Sequence, residues 1–215
     1  MIIFGVGGFA EIVARYIGLG NVDAFTVDGD HIESLEFMGK RVVPFEEIGE
    51  QFPPPDHGMI IAVTQQNGHR GLMKTKAEEA MKAGYWLGSF VHASAVIVGH
   101  IWVMEASQNC IIGPSAIIEP EVKLGDGVIV RSGAYIGHHC HLECYSYIAP
   151  RASMSGYVRV GEGAFIGNNA TIRDRVTIGW GAVVGAGAVV LRDVAPGEVY
   201  QGYPARLLRD RKSVV

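Results

Sequence analysis

A small α/β domain followed by an all-β prism of stacked coils is the fold class this 215-residue sequence predicts. From Ile112 to Val190 an aliphatic or Met side chain recurs at every sixth residue, fourteen times without a slip. Ahead of that stretch, short apolar runs alternate with helix-like segments, starting from a Gly-rich turn. A helix repeats at about 3.6 residues and a simple strand at about 2, so a strict six needs another geometry. A β-helix supplies it, because each short strand turns a corner and stacks on the next coil.

The first domain is expected over residues 1–90. Ile2 to Phe4 reads as a strand running into the turn Gly5-Val6-Gly7-Gly8. Ile12, Val13, Tyr16 and Ile17 follow at helical spacing, and Gly18 and Gly20 stop that helix. Ala24 to Val27 is a second strand, closed by Asp28-Gly29-Asp30. Val42 and Val43 come after a Glu- and Met-bearing turn and lead to the loop Pro53-Pro54-Pro55. Met59 to Val63 has the length and apolarity of a buried strand. Asn67 to Ala83 reads as a helix, with Leu72, Ala77, Ala80 and Met81 set among Lys and Glu, and Tyr85 to Val91 as the last strand. A β-α-β opening with a Gly-rich first turn gives a small Rossmann-like parallel sheet.

The second domain is expected over residues 91–215. The repeat is faint at Val91, Ile97 and Val103, then shifts phase by three residues, which places an insertion near Met104–Asn109. Four residues after each aliphatic position, from Ala116 to Ala188, stands a second inward residue that is small or β-branched, Cys140 and Ser146 included. Small side chains suit a narrow prism. Gly113, Gly125, Gly137, Gly161, Gly167, Gly179 and Gly185 are expected at tight corners. After Val190 the pattern stops, with turns at Pro196-Gly197 and Tyr203-Pro204 and a basic tail from Arg206 that is a short helix or an extended cap.

Composition narrows the function classes. With 48% hydrophobic and 19% charged residues the chain is a packed globular protein. A formal net charge of −4 gives no electrostatic reason to expect nucleic acid or an anionic membrane surface. Three Cys form no even disulfide framework, no apolar run spans a membrane and no basic leader is evident, so a cytoplasmic protein is expected.

Three stretches could carry chemistry. The backbone N–H groups of Gly5-x-Gly7-Gly8 at a helix start could cradle an anion; the alternative is simply a tight strand–helix turn. Asp28 and Asp30 are placed to accept hydrogen bonds from a ribose or base edge, or to form a solvated Asp-Gly turn. Within the repeat, Gly137-His138-His139-Cys140-His141 is followed by Glu143 and Cys144. The register turns Cys140 inward while His138 and His139 lie at the corner, so these groups do not converge on one ion and no metal is expected. A corner His suits a general base; for His139 and His141 a plain surface position is the rival reading.

The α/β domain, the unbroken hexapeptide repeat, the corner His and the closing Gly202-Tyr203-Pro204-Ala205-Arg206 together resemble the hexapeptide-repeat sugar acyltransferases, in particular the bacterial nucleotide-amino-sugar N-acetyltransferases and the sialic-acid O-acetyltransferase group. The resemblance covers nearly the whole chain. It implies a left-handed β-helix, a homotrimer, acetyl-CoA as cosubstrate in the groove between neighbouring β-helices, and a nucleotide-linked amino sugar held by the first domain. It further implies His138 as the base that takes the proton of the attacking amine, and Gly156 as the backbone donor to the oxyanion. Tyr147, Gly156, Asn168 and Ala186 match acetyl-CoA contacts; Gly7, Gly8 and Phe9 match the phosphate or sugar turn, Asp28 a nucleoside contact and Thr64 a position near the base. The chain departs from the pattern at His139, where the family often has an acid, at Tyr147 (His), at Phe9 (polar) and at Thr64 (Gly). The function expected is N-acetylation of the amino sugar. Alternatives are O-acetylation of a sugar hydroxyl and a non-catalytic β-helical binding protein.

Overall fold

The computed structural model describes residues 1–64, 71–99 and 108–210. They fall into two compact units, Met1–Ser89 and Phe90–Val215. No described helix is long and apolar enough to cross a membrane.

The first unit runs β1 (Ile2–Phe4), α1 (Gly8–Ile17), β2 (Ala24–Val27), β3 (Glu36–Phe37), β4 (Lys40–Pro44), α2 (Ile48–Gln51), β5 (Met59–Ile61), α3 (Leu72–Lys82). Its sheet has the order β3-β4-β2-β1-β5, parallel throughout except for the short β3–β4 hairpin. β1 lies inside the sheet, which is why all three of its residues are apolar and buried. α1 buries Ala10, Val13 and Ala14, so its inward stripe is set by small residues and not by Ile12, Tyr16 and Ile17. α3 buries Met73, Lys76, Ala77 and Ala80, whereas Met81 is exposed; the expected start of this helix at Asn67 lies outside the described residues. Tyr85 to Val91 is not one strand. Leu87 bridges to Met59 of the sheet, while Phe90–Val91 stacks on Ile111–Ile112 in the second unit.

The second unit is a three-faced prism of two-residue parallel strands. One face stacks Phe90–Val91, Ile111–Ile112, Ile129–Val130, Tyr147–Ile148, Phe165–Ile166 and Val183–Val184. The next begins with Val96–Ile97 and Ile117–Ile118, and the third with Lys123–Leu124 and His141–Leu142. Successive coils are eighteen residues apart, as in Ile129↔Tyr147 and Lys123↔His141. All fourteen repeat positions from Ile112 to Val190 are buried, as are all thirteen second positions from Ala116 to Ala188. Burying each larger aliphatic side chain contributes about 1.5–3 kcal/mol relative to exposure.

The first coil is longer. Phe90 pairs with Ile111 and Val96 with Ile117, spacings of twenty-one, so three extra residues lie between Ile97 and Ile111; the expected insertion falls mostly on residues outside those described.

The corners work differently from expectation. The third residue after every repeat position, from Ser115 to Gly187, has positive φ, and eight of these thirteen are not Gly. The glycines that directly follow the aliphatic residue serve close approach instead. A Cβ on Gly161 would meet the backbone N of Trp180 at 2.5 Å, and one on Gly137 the carbonyl O of Met154 at 2.7 Å.

The pattern also outlasts Val190. Val194 bridges Ile178 and Glu198–Gln201 pairs in parallel with Val183–Val184, each sixteen residues on, so a shortened coil continues the prism. Arg206–Asp210 then returns antiparallel to Glu198–Gln201, an extended cap in place of a helix.

Candidate active site

In the first unit a cavity of about 460 Å³ opens beside the ends of β1, β2 and β5. It gathers Gly7, Gly8, Phe9, Asp28 and Thr64, which sequence singled out separately. Gly5 is the glycine the turn itself requires: its φ is +126° and a Cβ there would stand 2.9 Å from the carbonyl O of Ala62. Gly7 and Gly8 have open space where a Cβ would be, at the N-terminus of α1, so a ligand can approach this backbone closely.

Asp28 is fixed by a partner sequence reading missed. Lys76, nearly buried on α3, donates to Asp28 Oδ1 at 2.5 Å and to Glu79 at 2.7 Å. Its Nζ lies 5.5 Å and 5.2 Å from the ring centroids of Phe4 and Phe45. Burial pulls the ammonium's pKa down, but the hydrogen bonds and charges of the two carboxylates outweigh it and hold the pKa above its ordinary value. Asp28 Oδ2 has no partner among the described residues and can accept from a ligand. Asp30 does not join the cavity wall. It pairs with His31 at 2.6 Å, and it is His31 that lines the cavity.

In the prism the edge between the second and third faces carries two columns of corner residues. One column, eighteen residues per step, is Pro120, His138, Gly156 and Asp174; the neighbouring column is Glu121, His139, Tyr157 and Arg175. His138 is exposed, and its ring fills the space that a Gly156 side chain would need, with Cε1 at 2.5 Å and Nε2 at 2.7 Å from the ideal Cβ position. The Gly156 N–H makes no hydrogen bond among the described residues. Pro114, Pro120 and Pro150 occupy the same turn position in other coils, as suits a site whose N–H needs no internal partner.

His139 stacks on Tyr157 with centroids 4.7 Å apart, and the Arg175 guanidinium lies 4.6 Å over the Tyr157 ring. His141, on the third face, lines a shallow trough with His139, Tyr157, Arg159, Arg175 and Thr177. Cys140 is fully buried and points inward, and no group of His, Cys, Asp and Glu that could hold a metal occurs among the described residues. Glu143 does not approach His138; it accepts the N–H of Glu162 at another edge.

Residues 107–138 and 157–192 match the family model described as bacterial transferase hexapeptide, six repeats. Over nearly all of its length the chain superposes on perosamine N-acetyltransferase from Caulobacter crescentus, solved with CoA and GDP-perosamine. The TM-score is 0.86 and the identity 27%, covering 97% of this chain and 96% of that one. The acetyltransferase domain of PglB from Neisseria gonorrhoeae, solved with acetyl coenzyme A, gives a TM-score of 0.84 and 28% identity over 96% of this chain and 98% of that one. The chain has the hexapeptide-repeat sugar acyltransferase fold.

Its prism is accordingly a left-handed parallel β-helix. Among curated sequences, UDP-3-O-acylglucosamine N-acyltransferase from Caulobacter sp. (strain K31) is 33% identical over 89 residues, 41% of this chain and 26% of that protein. Serine acetyltransferase 2 from Arabidopsis thaliana is 31% identical over 122 residues, 57% of this chain and 32% of that protein. The chain thus spans about a third or less of these two relatives. Both kinds of likeness are to acyltransferases.

On this acyltransferase fold the remaining candidates do not gather around His138. Asn168 and Ala186 are exposed neighbours on the edge between the first and second faces. Tyr147 lies on the first face, nearly buried, stacked on Phe165 at 5.2 Å and with its hydroxyl bonded to Arg131 at 2.6 Å. One whole face of the prism separates Asn168 and Ala186 from His138 within a single chain.

Proposed function

We propose that this protein transfers an acetyl group from acetyl-CoA to the amino group of a nucleotide-linked sugar, with His138 as general base. The observation that carries the reading is the placement of His138. Its ring stands clear of the core at a corner, with Nε2 on the edge next to Gly156, where a proton can be taken beside a free backbone N–H. The solved neighbours whose names or ligands include CoA, acetyl coenzyme A and GDP-perosamine support the substrate class.

In the proposed reaction Nε2 of His138 removes a proton from the amine as its nitrogen bonds to the thioester carbonyl carbon. The carbonyl oxygen becomes an oxyanion, for which the Gly156 N–H is a donor. The C–S bond then breaks, the imidazolium returns its proton, and CoA leaves as the thiol. The cavity lined by Gly7, Gly8, Phe9, Asp28 and Thr64 would hold the nucleotide: backbone N–H groups at the α1 start for phosphate, Asp28 for the nucleoside, Thr64 near the base. Because Asn168 and Ala186 lie on another edge, acetyl-CoA contacts from these residues would reach His138 only from a second copy of the chain. That supports a homotrimer with sites between subunits, and the proposed donor suits a cytoplasmic enzyme.

The test is release of CoA thiol from acetyl-CoA in the presence of nucleotide-linked amino sugars, with the product identified by mass spectrometry. His138→Asn is expected to lower kcat by about 10²–10⁴-fold. Turnover with hydroxyl acceptors alone would replace this reading by O-acetylation, and no turnover with any acceptor would leave a binding protein. Full activity of His138→Asn would remove His138 from the role.

A further inference from the structure

Nδ1 of His138 and Nδ1 of His139 stand 3.1 Å apart. At that separation one nitrogen donates and the other accepts, so a single proton lies between the rings. The two arrangements are not equivalent for chemistry. If His139 donates, neutral His138 carries its own proton on Nε2, the nitrogen nearer to Gly156, and cannot act as a base there. If His138 donates, its Nε2 is bare. Once His138 has taken up a second proton both of its nitrogens are N–H donors, so only an accepting His139 keeps the bond through the cycle.

We propose that His139 is the positioning residue for His138: it accepts the Nδ1–H and fixes the tautomer that leaves Nε2 free. The inference rests on the reading of His138 as the base. It assigns to a neighbouring imidazole the orienting part that a carboxylate plays beside many catalytic histidines.

The surroundings hold this acceptor in place. The backbone at His139 is left-handed, φ 59°, and its N–H bonds to the Pro120 carbonyl at 3.0 Å. Its ring stacks on Tyr157, and Tyr157 also meets His138 edge-on at 5.2 Å, so one aromatic wall sets both imidazoles. Arg175 closes the far side of that wall. The charged and titratable groups around the pair are Glu121 one coil before His139, Asp174 one coil beyond Gly156, and His141, Arg159 and Arg175 along the trough. None of them bonds either imidazole, and His139 is the sole hydrogen-bond partner of the His138 ring among the described residues.

The experiment reads the ring nitrogens of His138 by ¹⁵N NMR in the wild type, His139→Phe and His139→Asn, alongside steady-state kinetics. Phe keeps the stack on Tyr157 and loses the acceptor. Asn tolerates the left-handed backbone and offers an amide oxygen. The wild type is expected to show His138 protonated at Nδ1, and His139→Phe a mixture of tautomers. With Phe, kcat should fall by ~10- to 100-fold, the range for losing a partner that orients an imidazole, with KM for acetyl-CoA unchanged. His139→Asn should recover most of both signals. A wild type protonated at Nε2, or a His139→Phe variant with unaltered tautomer and kcat, would overturn the assignment. The tautomer is read without turnover, so an inactive protein with the expected spectrum would count against the proposed reaction and not against the His139 pairing.

Discussion

A methyl group placed on Gly156 would stand 2.5 Å from Cε1 of His138. The clash is with an exposed side chain that can swing aside, and Gly156 does not have a left-handed φ. Gly156→Ala should therefore fold with nearly unchanged stability but lose activity, because the displaced imidazole leaves His139. Gly161→Ala is the contrast. Its Cβ would meet the backbone N of Trp180 at 2.5 Å, which only a shift of the next coil relieves, at a cost of about 1–3 kcal/mol. Urea melts and thiol-release rates on the two variants should show opposite patterns.

Ser146 occupies an inward position of the prism, fully buried, and its hydroxyl has no hydrogen-bond partner among the described residues. Its column neighbours one coil away are Val128 and Ala164. Replacing Ser146 by Ala removes an unsatisfied buried hydroxyl without changing the shape of the core, and should stabilise the protein by about 1 kcal/mol. A lower urea midpoint for Ser146→Ala would contradict this.

Lys76 links stability to alkaline pH. A folded-state pKa held above the unfolded value means that its contribution is fully present below about 10.5 and is lost as pH rises through the folded pKa. Lys76→Met should be less stable than the wild type at neutral pH. The gap should hold up to about pH 9 and close above the unfolded value. The same variant should bind nucleotide more weakly, since Asp28 loses the clamp that sets it in the cavity wall.

The three cysteines should separate by reactivity. Cys110 and Cys140 are fully buried, and burial pushes each thiol up to about 11. Cys144 is only partly buried. Thiolate is the reactive form, so an aromatic disulfide reagent at neutral pH should modify Cys144 alone in the native protein and all three after denaturation. Fast native reaction of more than one thiol would be inconsistent with the packed interior.

The prism was legible because its constraint is local and repeated: Ile112 sets a register that Val190 still obeys, and that register turned Cys140 inward and away from His138. Its corners were misread because a six-letter pattern does not say why a Gly is present. Gly161 serves close approach, while the positive φ falls on residues as large as Tyr157 and Arg175. The wall behind His139 was within reach of the sequence, since adding eighteen twice arrives at Tyr157 and Arg175. The bond between Asp28 and Lys76 was not. Forty-eight residues separate them, and only the packing of α3 against the sheet brings the ammonium to the carboxylate. The short sixteen-residue coil was equally hidden, because Val194 and Val199 keep the stacking while abandoning the period.

A stack of parallel strands has no natural last layer: its exposed row of N–H and C=O groups is a template for another chain. The antiparallel return of Arg206–Asp210 onto Glu198–Gln201 covers that row on the first face, with a register shift between Val199 and Tyr200 that breaks its regularity. Trimming this tail would therefore bare a sticky end, and the expected fault is slow end-to-end fibre growth in place of a loss of folding.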